Sequence, residues 1–391
     1  MQEKQSKLFN SHFMFSLICV VLFISTYYAM MPVLPLYMKS MGGNNFQIGL
    51  VMGIFSAVSL ILRPISGKLS DRRDPVKLMR LSIVVFFLTP LCFLAPSFLL
   101  VGLAQALYGF TVGMFTTSSG LVVTASVQEH LISQAIGIHS IALIIAKGIA
   151  PTFGSMIYEK TNIAGAVFAT VLLGIASLVC SFRLKSMQPK LSDGEKGTSM
   201  LKVFTQRTVW VPSLVLLSVT FTFGAIMTML PLFAKERGIG QFNLFFTLNT
   251  AMVVVVRVVM GKRALSENAR VLSSLIALAV AVGMISMCDS LPFLLVTAVV
   301  YGYGYGMSYP TLTSIVMVKN AKATRGTAFG AFTAFFDAGV ALGSAFGGLS
   351  EYIGFTAIYQ IAAFIPLFGI VLYVFLLMPH KPADPQKSES E

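Results

Sequence analysis

Apolar runs of about twenty residues, long enough to cross a hydrocarbon layer as helices, recur twelve times along this chain. Six fall near residues 12–38, 46–66, 76–95, 97–122, 131–158 and 163–184. Six more fall near 208–234, 241–261, 271–288, 291–318, 326–352 and 354–378. Between the two sets lies a polar stretch, Lys185 to Arg207, rich in Ser, Asp, Gly, Glu and Lys and without apolar period. It reads as a linker. The stretch from His380 to Glu391 is also polar and is expected to be disordered. The pattern predicts an all-α membrane protein of twelve transmembrane helices in two pseudo-symmetric six-helix bundles. The expected division is residues 1–185 and 208–379, with a linker at 186–207 and a tail at 380–391. The first apolar run is long and lacks a small-residue cleavage site, so it is expected to stay as helix one.

Composition agrees. The chain is 56% hydrophobic and 11% charged, whereas about a quarter of the residues of a soluble domain carry charge. Its partner is therefore a lipid bilayer. The net charge of +13 needs no nucleic acid, because the cations are sorted by side. Of the 28 Lys and Arg residues, twenty-one lie in one alternate set of loops and ends. Four lie in the other set (Lys39, Lys160, Lys235, Arg237) and three inside apolar segments (Arg63, Lys147, Arg257). Cationic loops stay on the cytoplasmic side, which predicts a multi-pass cell-membrane protein with both termini in the cytoplasm. Cys19, Cys92, Cys180 and Cys288 have no paired spacing and read as small core residues. No Ser/His/Asp set, metal-spaced cluster or phosphate loop appears. Neither an enzyme nor an ATP-driven pump is expected, and no cofactor or metal site. His12, His130, His139 and His380 are scattered; His139 reads as a packed or capping residue or as a proton carrier.

The halves repeat. Thr26 to Tyr37 aligns with Thr222 to Phe233 at an offset of 196. Arg63, Gly67 and Lys68 align with Arg257, Gly261 and Lys262 at 194. Tyr108, Gly109, Gly113 and Met114 align with Tyr301, Gly302, Gly306 and Met307 at 193, as do Gly137 and Gly154 with Gly330 and Gly347. Four matches in order at a nearly constant offset indicate a duplicated six-helix unit.

One loop stands out. Gly67 to Lys77, with Arg80 just beyond, gathers five cations around Asp71. A lone acid there could accept hydrogen bonds from a neighbouring helix N-terminus, where the dipole is positive; the alternative is a solvated turn. Gly67, Leu69, Asp71 and Arg72 match the loop between helices two and three of the Major Facilitator Superfamily, which the stretch resembles. Asp74 stands at that motif's second glycine and Pro75 at its following cation. The resemblance implies two six-helix halves with a substrate site between them. It also implies that Gly67, Asp71 and Arg72 form a latch holding the outward-facing state. The second half has Leu265 in place of Asp71, so this latch is one-sided.

In the fifth segment, Ala150, Pro151, Gly154 and Ser155 resemble the Gly-Pro-x-x-Gly-Gly pattern of the superfamily's antiporters. Proline bends a helix and small residues allow tight crossings, so a packing kink is the other reading. Gln105 stands where many such antiporters carry Arg. The resemblance is nearest to the twelve-helix drug:proton antiporters and favours export.

A charge at bilayer depth marks a functional site by default. Lys147 lies at least ten residues from either end of its segment, too deep to snorkel, and reads as a cavity cation. Arg63 and its repeat mate Arg257 either line the cavity or snorkel. Asp337 is the one acid deep within a segment and reads as the proton carrier. A salt bridge from Arg63 to Asp337 is the competing view. Tyr301, Tyr305 and Tyr309 share one stripe at helical spacing. Tyr27, Tyr28, Met31 and Phe115 could line the same cavity. Three buried cations against one acid favour an anionic or zwitterionic substrate, such as a metal-chelating metallophore. The expected protein is a proton-coupled exporter of small organic molecules, acting as a monomer. A broad drug pump, a nutrient importer and a non-transporting receptor are the alternatives.

Overall fold

The computed structural model describes residues 9–128, 131–186, 205–260, 265–320 and 325–378. The described residues are all-α, with twelve helical spans. In the first half α1 is Ser11–Ser40, α2 Asn45–Arg72, α3 Pro75–Leu94, α4 Phe98–Ala125, α5 Ile132–Lys160 and α6 Ile163–Ser181. In the second, α7 is Arg207–Glu236, α8 Leu244–Met260, α9 Glu267–Ser286, α10 Leu291–Lys319, α11 Arg325–Gly348 and α12 Ser350–Leu376. Eleven of these are long and apolar enough to cross a membrane; α8 is shorter. Most of the predicted linker, the tail, and the side chains of Arg63, Gly67, Asp71 and Arg72 lie outside the described residues.

Local signals set the boundaries. Asn10 caps α1 by accepting from the Phe13 amide. Asn44 and Gln47 form a capping box that starts α2, satisfying amides that have no partner within the helix. Asp74 accepts from the Val76 amide and Pro75 opens α3, where a missing N–H costs nothing. The first span is interrupted at Met31–Pro32, and α12 bends at Gly354, whose φ is 81°.

The packing repeats. In the first half α1 lies on α5 and α6, α2 on α4, and α3 on α4 and α6. In the second, α7 lies on α11 and α12, α8 on α10, and α9 on α10 and α12. Matched glycines allow matched crossings: a methyl at Gly109 would strike the Phe55 carbonyl, and one at Gly302 the Asn249 carbonyl. The halves meet along two seams, α2 with α11 and α5 with α8.

Polar contacts define the two faces. On the face where α1 begins, called here the terminal face, His12 meets Ser126, Thr208 meets Asn320, and Lys319 pairs with Glu267. On the opposite face Lys39, Asn45, Ser350 and Glu351 cluster.

Candidate functional site

Lys147 sits near the middle of α5, roughly 20 Å from either end at about 1.5 Å per residue. Its ammonium lies 5.3 Å from the Tyr28 ring centre and 5.9 Å from that of Phe336. It is thus held by an aromatic side chain from each half, within the range where a ring face attracts a cation. The ion pairs among the described residues, Lys39–Glu351 and Lys319–Glu267, lie at the two faces and leave Lys147 without a carboxylate partner. Tyr28 is buried, whereas Lys147 and Phe336 are half-buried.

Asp337 follows Phe336 on α11 and is only 5% exposed. Its carboxylate accepts a hydrogen bond from Ser59 Oγ across the α2–α11 seam at 3.1 Å. Ser59 is one helical turn before Arg63, so the α2 backbone carries Arg63 on the face that meets α11. The Tyr28 hydroxyl lies near Asp337, and that of Tyr305 near both Lys147 and Arg257. Tyr28 is thus a neighbour of the buried acid and of Lys147, and Tyr305 of the two cations.

Tyr305 stacks on Phe223 at 5.2 Å. Tyr309 meets Phe332 and Phe336 at 6.1 and 5.9 Å. The tyrosine stripe of α10 thus forms a wall running to α11. Beside it, a cavity of about 460 Å³ is lined by Ser140 of α5, Arg257 of α8, Glu267 and Arg270 of α9, and Met307 and Thr311 of α10. It lies on the terminal-face side. Arg257 Nε is buried there without a hydrogen-bond partner among the described residues.

The predicted residues divide. Lys147, Tyr28, Tyr305, Arg257 and Asp337 come together between the halves. Tyr27 and Tyr301 touch this cluster, at Tyr28 with ring centres 5.4 Å apart and at Tyr305 with ring centres 6.2 Å apart, but pack mainly inside their own halves, as Phe115 does. Tyr27 stacks on Phe55 at 4.2 Å and Phe115 on Phe23 at 3.6 Å, and Tyr301 shares a hydrogen bond with Thr222. Met31 is buried in the core at the break in α1. Ala150, Pro151 and Ser155 are buried, and a methyl at Gly154 would strike the Ala29 carbonyl, so this stretch presses α5 on α1. Gln105 is buried and donates to the Met52 sulfur. Sequence reasoning missed Phe336, Ser59 and Arg270; proximity to Asp337 in sequence was the one available pointer, and only to Phe336.

The profile of the Major Facilitator Superfamily matches residues 16–344 and 267–391. The chain belongs to this superfamily. It is 25% identical over 363 residues to the staphylopine export protein of Staphylococcus aureus strain Mu50, covering 88% of this chain and 89% of that one. It is 22% identical over 217 residues to the quinolone resistance protein NorA of the same species, covering 53% and 54%. The crystal structure of the human organic anion transporter MFSD10 (TETRAN) superposes with a TM-score of 0.68 at 18% identity, covering 93% of this chain and 98% of that one. The two pseudo-symmetric bundles are the Major Facilitator fold, and the protein is a secondary transporter of this superfamily rather than an enzyme.

Proposed function

We propose that this Major Facilitator protein exports a small zwitterionic, carboxylate-bearing metabolite of the metal-chelating kind, in exchange for protons. The observation that carries the proposal is Lys147, a cation deep between the halves, held over Tyr28 and Phe336 and without a carboxylate partner among the described residues. A substrate carboxylate supplies what that site lacks, and Arg257 offers a second cation nearer the cavity mouth. The similarity to the staphylopine export protein supports the direction. The excess of Lys and Arg supports a cytoplasmic terminal face, and the cavity then faces the side from which an exported molecule enters.

The sign of the coupling narrows the substrate. An anion bound beside Asp337 favours the protonated, neutral carboxyl. A pure anion and a proton would therefore bind together and move together. Exchange requires the substrate to bring a cation of its own to Asp337, so that the ammonium and the proton exclude each other. A zwitterion meets both conditions, with its carboxylate at Lys147 and its ammonium at Asp337. The remaining alternation is the rocking of one half against the other around this site.

Metabolite profiling tests the proposal. Medium from overexpressing cells should be enriched in an amine- and carboxylate-bearing compound that medium from deletion cells lacks. The similarity to NorA and the aromatic wall favour a second reading, a broad drug exporter. Efflux of lipophilic cationic dyes with no change in secreted carboxylates would decide for it.

A further inference from the structure

The cluster on the opposite face joins residues more than three hundred positions apart. The Asn45 amide, at the first turn of α2, donates to Glu351 Oε2 at 2.8 Å. Asn45 Nδ2 donates to Ser350 Oγ at 3.1 Å. Lys39 Nζ donates to Asn45 Oδ1 at 2.9 Å and lies 3.8 Å from the same Glu351 oxygen. Asn45 and Ser350 are buried. A carboxylate from the second half thus caps the start of a helix in the first half, where unpaired amides and the helix dipole attract an anion. Close approach makes this possible: a methyl on Gly348 would come within 2.9 Å of the Asn45 carbonyl.

We infer that Glu351 is a positioning residue for alternating access: its carboxylate, on the start of α2, holds the opposite face shut while the cavity is open to the terminal face. The inference rests on the transporter reading above, but on no particular substrate or coupling ion. Every contact in the cluster crosses between the halves or steadies Asn45, so opening the opposite face must break it. The Lys39 pair is partly exposed, with side-chain accessibilities of 45% and 34%, and water screens such a pair. The charge-assisted bond from the Asn45 amide is the stronger part. If Asp71 latches the far end of α2 in the other state, as the loop motif implies, then α2 is held at one end in each state.

The test reads conformation, not transport, so it stands apart from any failure of the substrate proposal. Spin labels go on Lys160→Cys and Glu236→Cys, exposed ends of α5 and α7 on the opposite face, with the four native cysteines replaced. Glu351→Ala should raise the ratio of wide to narrow distances about tenfold, from the loss of one charge-assisted hydrogen bond. Glu351→Gln should shift it less, because its amide oxygen can still accept from the Asn45 amide; it also carries the test if the Ala variant does not fold. Exchanging the charges, Lys39→Glu with Glu351→Lys, should not restore the narrow population, since a lysine cannot cap α2. Unchanged distances in folded Glu351 variants would overturn the inference. Full restoration by the exchange would also overturn it, leaving a plain ion pair.

Discussion

The two seams between the halves occupy equivalent places in the repeat, and they are built differently. At Gly49 and Gly53 the α2–α11 seam has glycines; the matched positions in the α5–α8 seam are Asn243 and Thr247. Opposite them Ala345 of α11 matches Thr152 of α5. In the first seam backbone meets backbone: a methyl at Gly49 would lie 2.7 Å from both the Gly348 Cα and the Ser344 carbonyl. In the second, Thr152 Oγ1 donates to the Asn243 carbonyl at 3.0 Å and shares a bond with the Thr247 hydroxyl. The charges are as unequal. Asp337 of α11 matches Ile144 of α5, and Lys147 of α5 matches Val340 of α11. Even Tyr28, which lies under Lys147, matches Gly224, whose missing side chain lets α7 press on the Val340 carbonyl. Duplication thus fixes the crossings, and the same crossing holds either a packed contact or a charge. The candidate site lies where the repeat is broken.

The largest test of that asymmetry is Asp337→Asn, which keeps the shape and removes the charge. Transport driven by a pH gradient should be lost in proteoliposomes, while substrate binding weakens because the ammonium loses its charged partner, and substrate–substrate exchange persists at higher substrate concentration. Full gradient-driven transport would remove Asp337 from the proton path. If a salt bridge to Arg63 were its whole role, Asp337→Asn should instead lower stability, and adding Arg63→Gln should restore much of the function.

On the other seam Lys147→Ala should weaken binding of the carboxylate-bearing substrate by about tenfold or more, the scale of a hydrogen bond to a charged group at roughly 1.5–3 kcal/mol. Lys147→Arg should keep part of it. Equal affinity by calorimetry in a folded Ala variant would make Lys147 a packing residue.

Gly49→Ala comes next, because it disturbs packing alone. Its new methyl has backbone on three contacts and nothing flexible to displace. Overpacking of this kind costs about 1–3 kcal/mol. The closed opposite face should loosen, and the melting temperature should fall. An unchanged melting curve would show that α2 and α11 have room to spare.

The architecture was legible because each span leaves a long apolar run and the repeat leaves a constant offset. Lys147 and Asp337 were legible for a similar reason: a charge within such a run has few bland explanations. The partners were not. Phe336 and Ser59 reach the site from neighbouring helices, and single apolar or hydroxyl residues are commonplace in any span. The aromatic residues were less legible: Tyr27 and Tyr301 touch Tyr28 and Tyr305 but pack mainly within their own halves, and Phe115 stacks on Phe23. Periodicity gives the buried face of a helix but does not say whether it meets a cavity or a neighbour. The cap on α2 by Glu351 left no signal, because an acid in the first turn of a helix is ordinary until the opposing amide is seen.

The smallest expected effect comes from the hydroxyl stitch. Thr152→Val keeps the volume and the branch of the side chain but removes the donor to the Asn243 carbonyl and the bond shared with Thr247. Hydrogen bonds between helices in a bilayer average about 0.6 kcal/mol, because the separated helices find other partners. Thr247 keeps its own contact with the Gly148 carbonyl at 3.4 Å, so part of the stitch survives. The shift should therefore be about threefold in the ratio of open to closed populations at the α5–α8 seam, below that of Gly49→Ala at the glycine seam. Adding Thr247→Val should enlarge it, since the remaining bond goes too. Distances between labels on α5 and α8 report the change. A shift in Thr152→Val as large as that in Gly49→Ala would mean that both seams are held by shape, and that the hydroxyls only fill space.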